Sequence, residues 1–151
     1  MVCGGLYSQP KVTSLRDFPA ESQTESMSMT PYEAIGGEPV LRTLTKRFYA
    51  LMDTLPEATA CRKIHPKDMT RSEEKLFEYL SGWLGGPPLY TDKYGHPMLR
   101  RRHLPAKIGT EEADGWLLCF RQAWNEVITD KALGDALLPQ VESLGRHMIN
   151  V

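Results

Sequence analysis

The stretch Gly85–Pro105, GGPPLYTDKYGHPMLRRRHLP, decides the fold. Gly85-Gly86 ends any helix before it, and Pro87-Pro88 forbids an immediate restart. Tyr90 to Gly95 is polar and turn-forming. Pro97 suits the first position of a new helix, its φ already set. Pro105 is expected to push Leu104 out of helical geometry, leaving a helix of about two turns. Within it Leu99 and His103 are four residues apart and share a face, flanked by Arg100 and Arg102, while Arg101 points elsewhere. A histidine there can ligate a metal through Nε2 if its Nδ1–H has an acceptor, and the Leu99 carbonyl one turn back is the natural one. An ordinary histidine favoured by a helix C-terminus fits the spacing equally well.

Toward the N-terminus, Thr70 with Glu73 reads as a capping box, followed by the amphipathic face Leu76, Phe77, Leu80, Trp83 and Leu84. Pro56 to Pro66 reads as a connector carrying Cys61, Ile64 and His65. A helix from about Glu38 to Leu55 bears the stripe Val40, Leu41, Leu44, Phe48, Leu51, Met52 and Leu55. Tyr49 sits at the edge of that stripe, where its ring can lie in the core and its hydroxyl point into a cavity or to water. Thr30, Pro31 and Glu33 start a short helix that Gly36-Gly37 stops. Toward the C-terminus, Thr110 precedes the acidic first turn Glu111, Glu112 and Asp114 of a helix whose stripe is Ala113, Trp116, Leu117, Phe120, Trp124 and Val127. Trp116 lies mid-stripe, so it is expected to be buried, its indole N–H bonded to backbone or donating into a cavity. A last helix, about Lys131 to Met148, buries Leu133, Leu137, Val141, Leu144 and Met148, and Pro139 should kink it or mark its true start. No strand-like alternation appears. The fold class is all-α, with about four substantial helices and two short ones.

At 151 residues the chain is expected to be one domain, residues 30–151, behind a mobile extension, residues 1–29, rich in Ser, Gln, Glu and Pro. A net charge of −1 gives no bulk attraction for nucleic acid. No run approaches a membrane span and no signal peptide is visible. Three cysteines, without a CxxC pair, read as reduced thiols of a cytoplasmic protein.

The chain from about Pro31 to Asn150 resembles the truncated haemoglobins of group II. The residues that carry the resemblance are Gly36-Gly37, Phe48-Tyr49, the run Gly85-Gly86-Pro87-Pro88-Leu89-Tyr90, Gly95-His96-Pro97, Arg100, Arg102-His103-Leu104-Pro105, and Asp114 with Trp116. The resemblance implies a globin-like two-over-two helical sandwich around one haem b, with His103 as proximal iron ligand. Tyr49 and Trp116 match the family's distal hydrogen-bonding pair, and His65 falls at the rim of the distal pocket. Ser72 and Leu76 match the distal-helix positions facing the bound gas. Tyr90, Arg100 and Arg102 are the candidates for the haem propionates, with Phe48 and Ile108 as further haem contacts. Small Ser72 and apolar Leu76 leave distal hydrogen bonding to Tyr49, Trp116 and His65. The chain departs from the family in a longer stretch between Pro56 and His65, and in Ala106, where many relatives have phenylalanine.

The implied function is reversible binding of O2, and of CO or NO, with slow O2 release suited to sensing, scavenging or redox chemistry more than to bulk transport. His65 or Tyr49 is a candidate to ligate the iron when no gas is bound. The resemblance allows peroxidase-like activity or the oxidation of nitric oxide, an unidentified reductase as partner, and a homodimer. Two other readings stay open. One is a haem-free helical interaction domain with Gly85–Pro105 as docking surface. The other is a haem-based sensor acting through a partner.

Overall fold

The computed structural model describes residues 29–151, and the expected extension, residues 1–28 of it, lies outside the described residues. Among the described residues eight α-helices follow one another: α1 Pro31–Ile35, α2 Glu38–Thr54, α3 Thr59–Lys63, α4 Thr70–Trp83, α5 Leu89–Tyr94, α6 Leu99–His103, α7 Thr110–Val127 and α8 Lys131–His147. A 3₁₀ turn, Pro56–Ala58, joins α2 to α3. No strand occurs among the described residues.

The long helices form two layers. α2 packs beside α4, α7 beside α8, and α2 also lies against α7. The seam between the layers is apolar: Leu41, Leu44, Phe48 and Met52 of α2 are almost fully buried, as are Phe77 of α4, Phe120 and Trp124 of α7 and Leu137 of α8. Each helix presents these residues at three- and four-residue spacing, so one face is removed from water, and that burial is the main stabilising term. Ion pairs lace the outside. Arg42 reaches Glu74 at 2.5 Å, with its guanidinium 3.6 Å from the centre of the Phe77 ring. Arg47 pairs with Glu126, and Arg146 with Asp114 at 2.5 Å. Solvent-exposed pairs of this kind contribute at most about 1 kcal/mol each.

The helix stops are as the glycines predict. At the end of α4 the Gly86 N–H donates to the Ser81 carbonyl (2.8 Å) and the Gly85 N–H to that of Gly82 (3.1 Å), with Gly85 at φ 91°. This is a Schellman closure. Gly86 must also lack a side chain, because a Cβ there would lie 2.5 Å from the Tyr32 ring of α1. The Tyr32 N–H donates to the Leu84 carbonyl (2.9 Å), so α1 is pinned to the end of α4. Thr30 caps α1 as expected, accepting from the Glu33 N–H at 3.2 Å.

Elsewhere the local structure differs from the sequence reading. The Pro56–Pro66 connector is largely helical. Tyr90 to Gly95 holds a helix, α5, because Pro88 serves as its N-cap and leaves Leu89 free to begin it. α5 is then fixed to α4 by the ion pair of Lys93 with the buried Glu78. α6 begins at Leu99 and not at Pro97, since Met98 takes a left-handed conformation (φ 46°) and its N–H donates to His96 Nδ1 (3.2 Å). Leu104 remains in right-handed helical geometry, and α6 ends because Pro105 has no N–H to continue it. Thr70 is the first residue of α4, not its cap; the Asp68 carboxylate accepts from its N–H (2.9 Å) and hydroxyl (2.6 Å). Gly109 caps α7, its N–H donating to Glu112 at 2.6 Å. α8 runs unbroken through Pro139 from its cap Asp130.

Candidate functional site

Between the two layers lies a cavity of about 480 Å³. One wall is a face of α4, formed by Ser72, Lys75, Leu76, Tyr79, Leu80 and Trp83, one turn after another. Tyr49 of α2, with Cys61 and His65 around α3, closes one end. Trp116 and Phe120 of α7 and Val141, Leu144 and Met148 of α8 form the floor. Leu99, Arg102 and His103 of α6, with Ile108 after it, close the far side.

His103 is exposed toward this space, and its Nδ1 lies 2.6 Å from the Leu99 carbonyl oxygen. Facing a carbonyl, that nitrogen carries the proton, so the lone pair is on Nε2. His65 repeats the arrangement from the other side, with Nδ1 2.9 Å from the Cys61 carbonyl. Burial holds the His65 imidazole below its usual range, and the Arg62 guanidinium and His103 oppose its charged form as well, against the Cys61 carbonyl, which favours it. Neutral His65 is thus an acceptor at Nε2.

Tyr49 is 7% exposed and donates its hydroxyl to the Ser72 carbonyl at 3.3 Å. Burial, with a lesser contribution from Cys61 and Glu73, pushes its phenol far above the usual value, so it stays protonated and able to donate. Trp116 is half-buried and not, as its place in the stripe suggests, buried. One face of the indole stacks on Phe120 (centroids 5.4 Å, planes 12° apart), and the ring also borders the cavity. Tyr90 is buried and Arg102 reaches over its ring at 5.7 Å, while Arg102 Nη2 donates to the Tyr94 carbonyl at 3.1 Å.

Two expected site residues stand elsewhere. Arg100 does not border the cavity; its Nη1 donates to the carbonyls of His147 (2.6 Å) and Ile149 (2.7 Å). It lies one residue beyond the Leu99–His103 face, and the 100° step of the helix turns it toward the end of α8. Phe48 lies behind the wall, edge-on to Tyr49 (4.8 Å), Trp116 (5.1 Å) and Phe120 (5.9 Å). It supports the distal residues without bordering the cavity. The sequence reading missed Lys75 and Cys61 as wall residues. Lys75 was legible, being three residues from Ser72 and four from Tyr79 on one helical face. Cys61 was not, because its helix is too short to show a period.

Two helical layers around a cavity with an inward imidazole define the globin class. The bacterial-like globin family profile matches residues 30–150. The group 2 truncated haemoglobin YjbI of Bacillus subtilis is 42% identical over 120 residues, 80% of this chain and 88% of that one. The group II two-on-two haemoglobin of Agrobacterium tumefaciens is 57% identical and superposes with a TM-score of 0.80, over 82% of this chain and 95% of that one. A truncated oxygen-avid haemoglobin from Bacillus subtilis superposes with a TM-score of 0.73 at 42% identity, over 81% of this chain and 100% of that one. The chain belongs to the bacterial-like globins and, within them, to the group II truncated haemoglobins.

Membership implies a haem cofactor and small gas ligands, and the residues of the cavity fit both. Its volume is in the range of a cofactor site. Among the described residues no three His, Cys, Asp or Glu side chains gather to hold a metal ion. A haem, whose macrocycle supplies four ligands of its own, would need only one from this cavity. The apolar residues between the two histidines suit a flat hydrophobic group, and Arg102 and Lys75 bring positive charge for its carboxylates. No helix among the described residues is long and apolar enough to cross a membrane.

Proposed function

We propose that this globin holds haem b on His103 and binds O2, and also CO or NO, reversibly and with slow release. The observation that carries the reading is the convergence on one cavity of His103, its ring fixed by the Leu99 carbonyl, with the protonated Tyr49 hydroxyl and the Trp116 indole. When bound, the haem supplies an iron with one open position for a diatomic ligand. His103 Nε2 is the nitrogen that would be presented to it, since the bond at Nδ1 fixes the tautomer and makes Nε2 the better ligand. Arg102 and Lys75 pair with the propionates, and Tyr90 orients Arg102. Ser72, Leu76 and Ile108 line the cavity and exclude water.

A ligand that takes up negative charge is stabilised by donors aimed at it from an apolar pocket, by roughly 1–3 kcal/mol each. Tyr49 and Trp116 are those donors. The Tyr49 hydroxyl, whose bond to the Ser72 carbonyl is long at 3.3 Å, would be free to donate to such a ligand instead. The name of the Bacillus subtilis relative, oxygen-avid, accords with such a pocket. His65, whose Nδ1 lies against the Cys61 carbonyl and whose burial favours the neutral ring, would with Tyr49 be the candidate to ligate iron in the gas-free form. Slow release suits scavenging or redox chemistry with O2 or NO more than bulk transport. Such chemistry needs an unidentified reductase to return the iron to the ferrous state.

The test is the O2 dissociation rate of the ferrous protein. Replacing both Tyr49→Phe and Trp116→Phe is expected to speed release at least about tenfold, since each ~1.4 kcal/mol is a factor of ten. An unchanged rate in the double variant removes both residues from the mechanism.

A further inference from the structure

We infer that the segment following α8 positions His103, with Asn150 and Arg100 as the positioning residues. The inference rests on His103 being the haem ligand, as proposed above.

The helix that carries His103 has little of its own to hold it. α6 is five residues long, has no side-chain cap, enters through the left-handed Met98, and buries none of its residues. A single turn is unstable in isolation, and most helical stability in proteins comes from packing an apolar face. Leu99 packs partly buried against the core and Arg102 donates to the Tyr94 carbonyl, and a further set of polar contacts runs from the two ends of α6 to residues 147–151. Arg100 Nη1 donates to the carbonyls of His147 (2.6 Å) and Ile149 (2.7 Å), so a side chain of α6 satisfies acceptors at the end of α8. Asn150 grips the turn just after His103. Its Nδ2 donates to the Ala106 carbonyl (2.9 Å) and more distantly to that of His103 (3.4 Å), while its Oδ1 accepts from the Ile108 N–H (3.0 Å). The main chain closes the clasp: the N–H groups of Asn150 (2.8 Å) and Val151 (3.3 Å) both donate to the Ile108 carbonyl.

The clasp therefore has one arm before His103 and one after it. It fixes the carbonyl of His103 itself, whereas the ring is fixed only relative to its own helix, through Leu99. Both Met148 and Ile108, the residues beside the two ends of the clasp, border the cavity. Loosening it frees the imidazole to move with α6 as a unit.

The experiment uses the haem-loaded full chain and compares Asn150→Ala and Arg100→Met with a control, Arg146→Ala. The control breaks the ion pairs of Arg146 with Asp114 of α7 and with Glu142 within α8, partners that both lie outside residues 99–108. Two quantities are read: the rate of haem transfer to a haem-free myoglobin acceptor, and the iron–histidine stretching band of the ferrous protein. The clasp variants are each expected to speed haem loss about tenfold, in line with the loss of two hydrogen bonds in Arg100→Met and three, one of them long, in Asn150→Ala, and to shift or broaden the stretching band. Arg146→Ala is expected to leave the band unchanged and haem loss within about twofold. If Asn150→Ala fails to fold, Asn150→Asp keeps the acceptor for the Ile108 N–H while replacing the donor with a carboxylate oxygen that the Ala106 and His103 carbonyls repel, and should shift the band in the same sense. An unmoved band in the clasp variants, or an equal effect in Arg146→Ala, overturns the inference while leaving His103 as ligand. A wild-type protein that takes up no haem, or a spectrum that His103→Ala leaves unchanged, overturns the functional reading and this inference with it.

Discussion

At the scale of single residues the cavity is a place where burial sets protonation. His65 has its imidazole held below the ordinary 6.5 mainly by desolvation. The sign for stability follows from linkage. The unfolded chain binds this proton more readily than the folded one. The contribution of neutral His65 is therefore present above about pH 6.5 and is lost as pH falls through the folded value. Urea unfolding at pH 7 and pH 5 should show a loss of stability on acidification that is smaller in His65→Gln; an equal loss in both proteins would place the titrating group elsewhere. Burial acts on the thiols too, pushing Cys61 up to about 12 and Cys119 up to about 11, in each case helped by nearby acidic groups. Thiolate is the reactive form. Iodoacetamide at pH 8 should therefore leave both cysteines unmodified in the folded protein and alkylate both after denaturation, as read by peptide mass mapping; rapid alkylation of native Cys61 would contradict the assigned burial.

At the scale of elements, legibility followed length. α2, α4, α7 and α8 were read nearly to their ends because each repeats its apolar face over several turns, and the stops at Gly36-Gly37 and Gly85-Gly86 were visible as glycine pairs. α3 and α5 were not read as helices. Each is too short to show a period, and what holds it is tertiary: Lys93 on the buried Glu78 for α5, and the crossing of α7 for α3. That crossing depends on Gly115, where an added Cβ would meet the main chain of Glu57 and Ala58 at 3.1 Å. Backbone cannot swing aside as a side chain can. Gly115→Val is expected to lower stability by roughly 2 kcal/mol, an overpacking cost that the few tenths gained from valine's better helix propensity than glycine's does not offset. Thermal unfolding several degrees below wild type would agree, and an unchanged midpoint would show that α3 moves away at little cost. Of the site, Tyr49, Trp116, His65 and His103 were legible through the resemblance of their surrounding motifs. The bond from His103 to the Leu99 carbonyl followed from four-residue spacing alone. The role of Arg100 was not legible, because its acceptors lie 47 and 49 residues away along the chain.

At the scale of the whole molecule, the two layers bring together groups that the sequence keeps far apart. Tyr49 and His65 come from the first half of the chain, and His103 and Trp116 from the second. The layers are packed tightly along α2 and α7, yet leave a cavity where α4 faces α6 and α8, and it is this cavity that both imidazoles, Tyr49 and Trp116 line. The central claim is that His103 is the residue through which this cavity holds its haem. Its most direct test is the absorption spectrum of the purified protein, ferric and then reduced, with and without CO, for wild type and His103→Ala. The account predicts a Soret band that shifts on CO binding in wild type and is lost or strongly altered in the variant. A well-folded wild-type protein that stays colourless and refuses added haemin would contradict it.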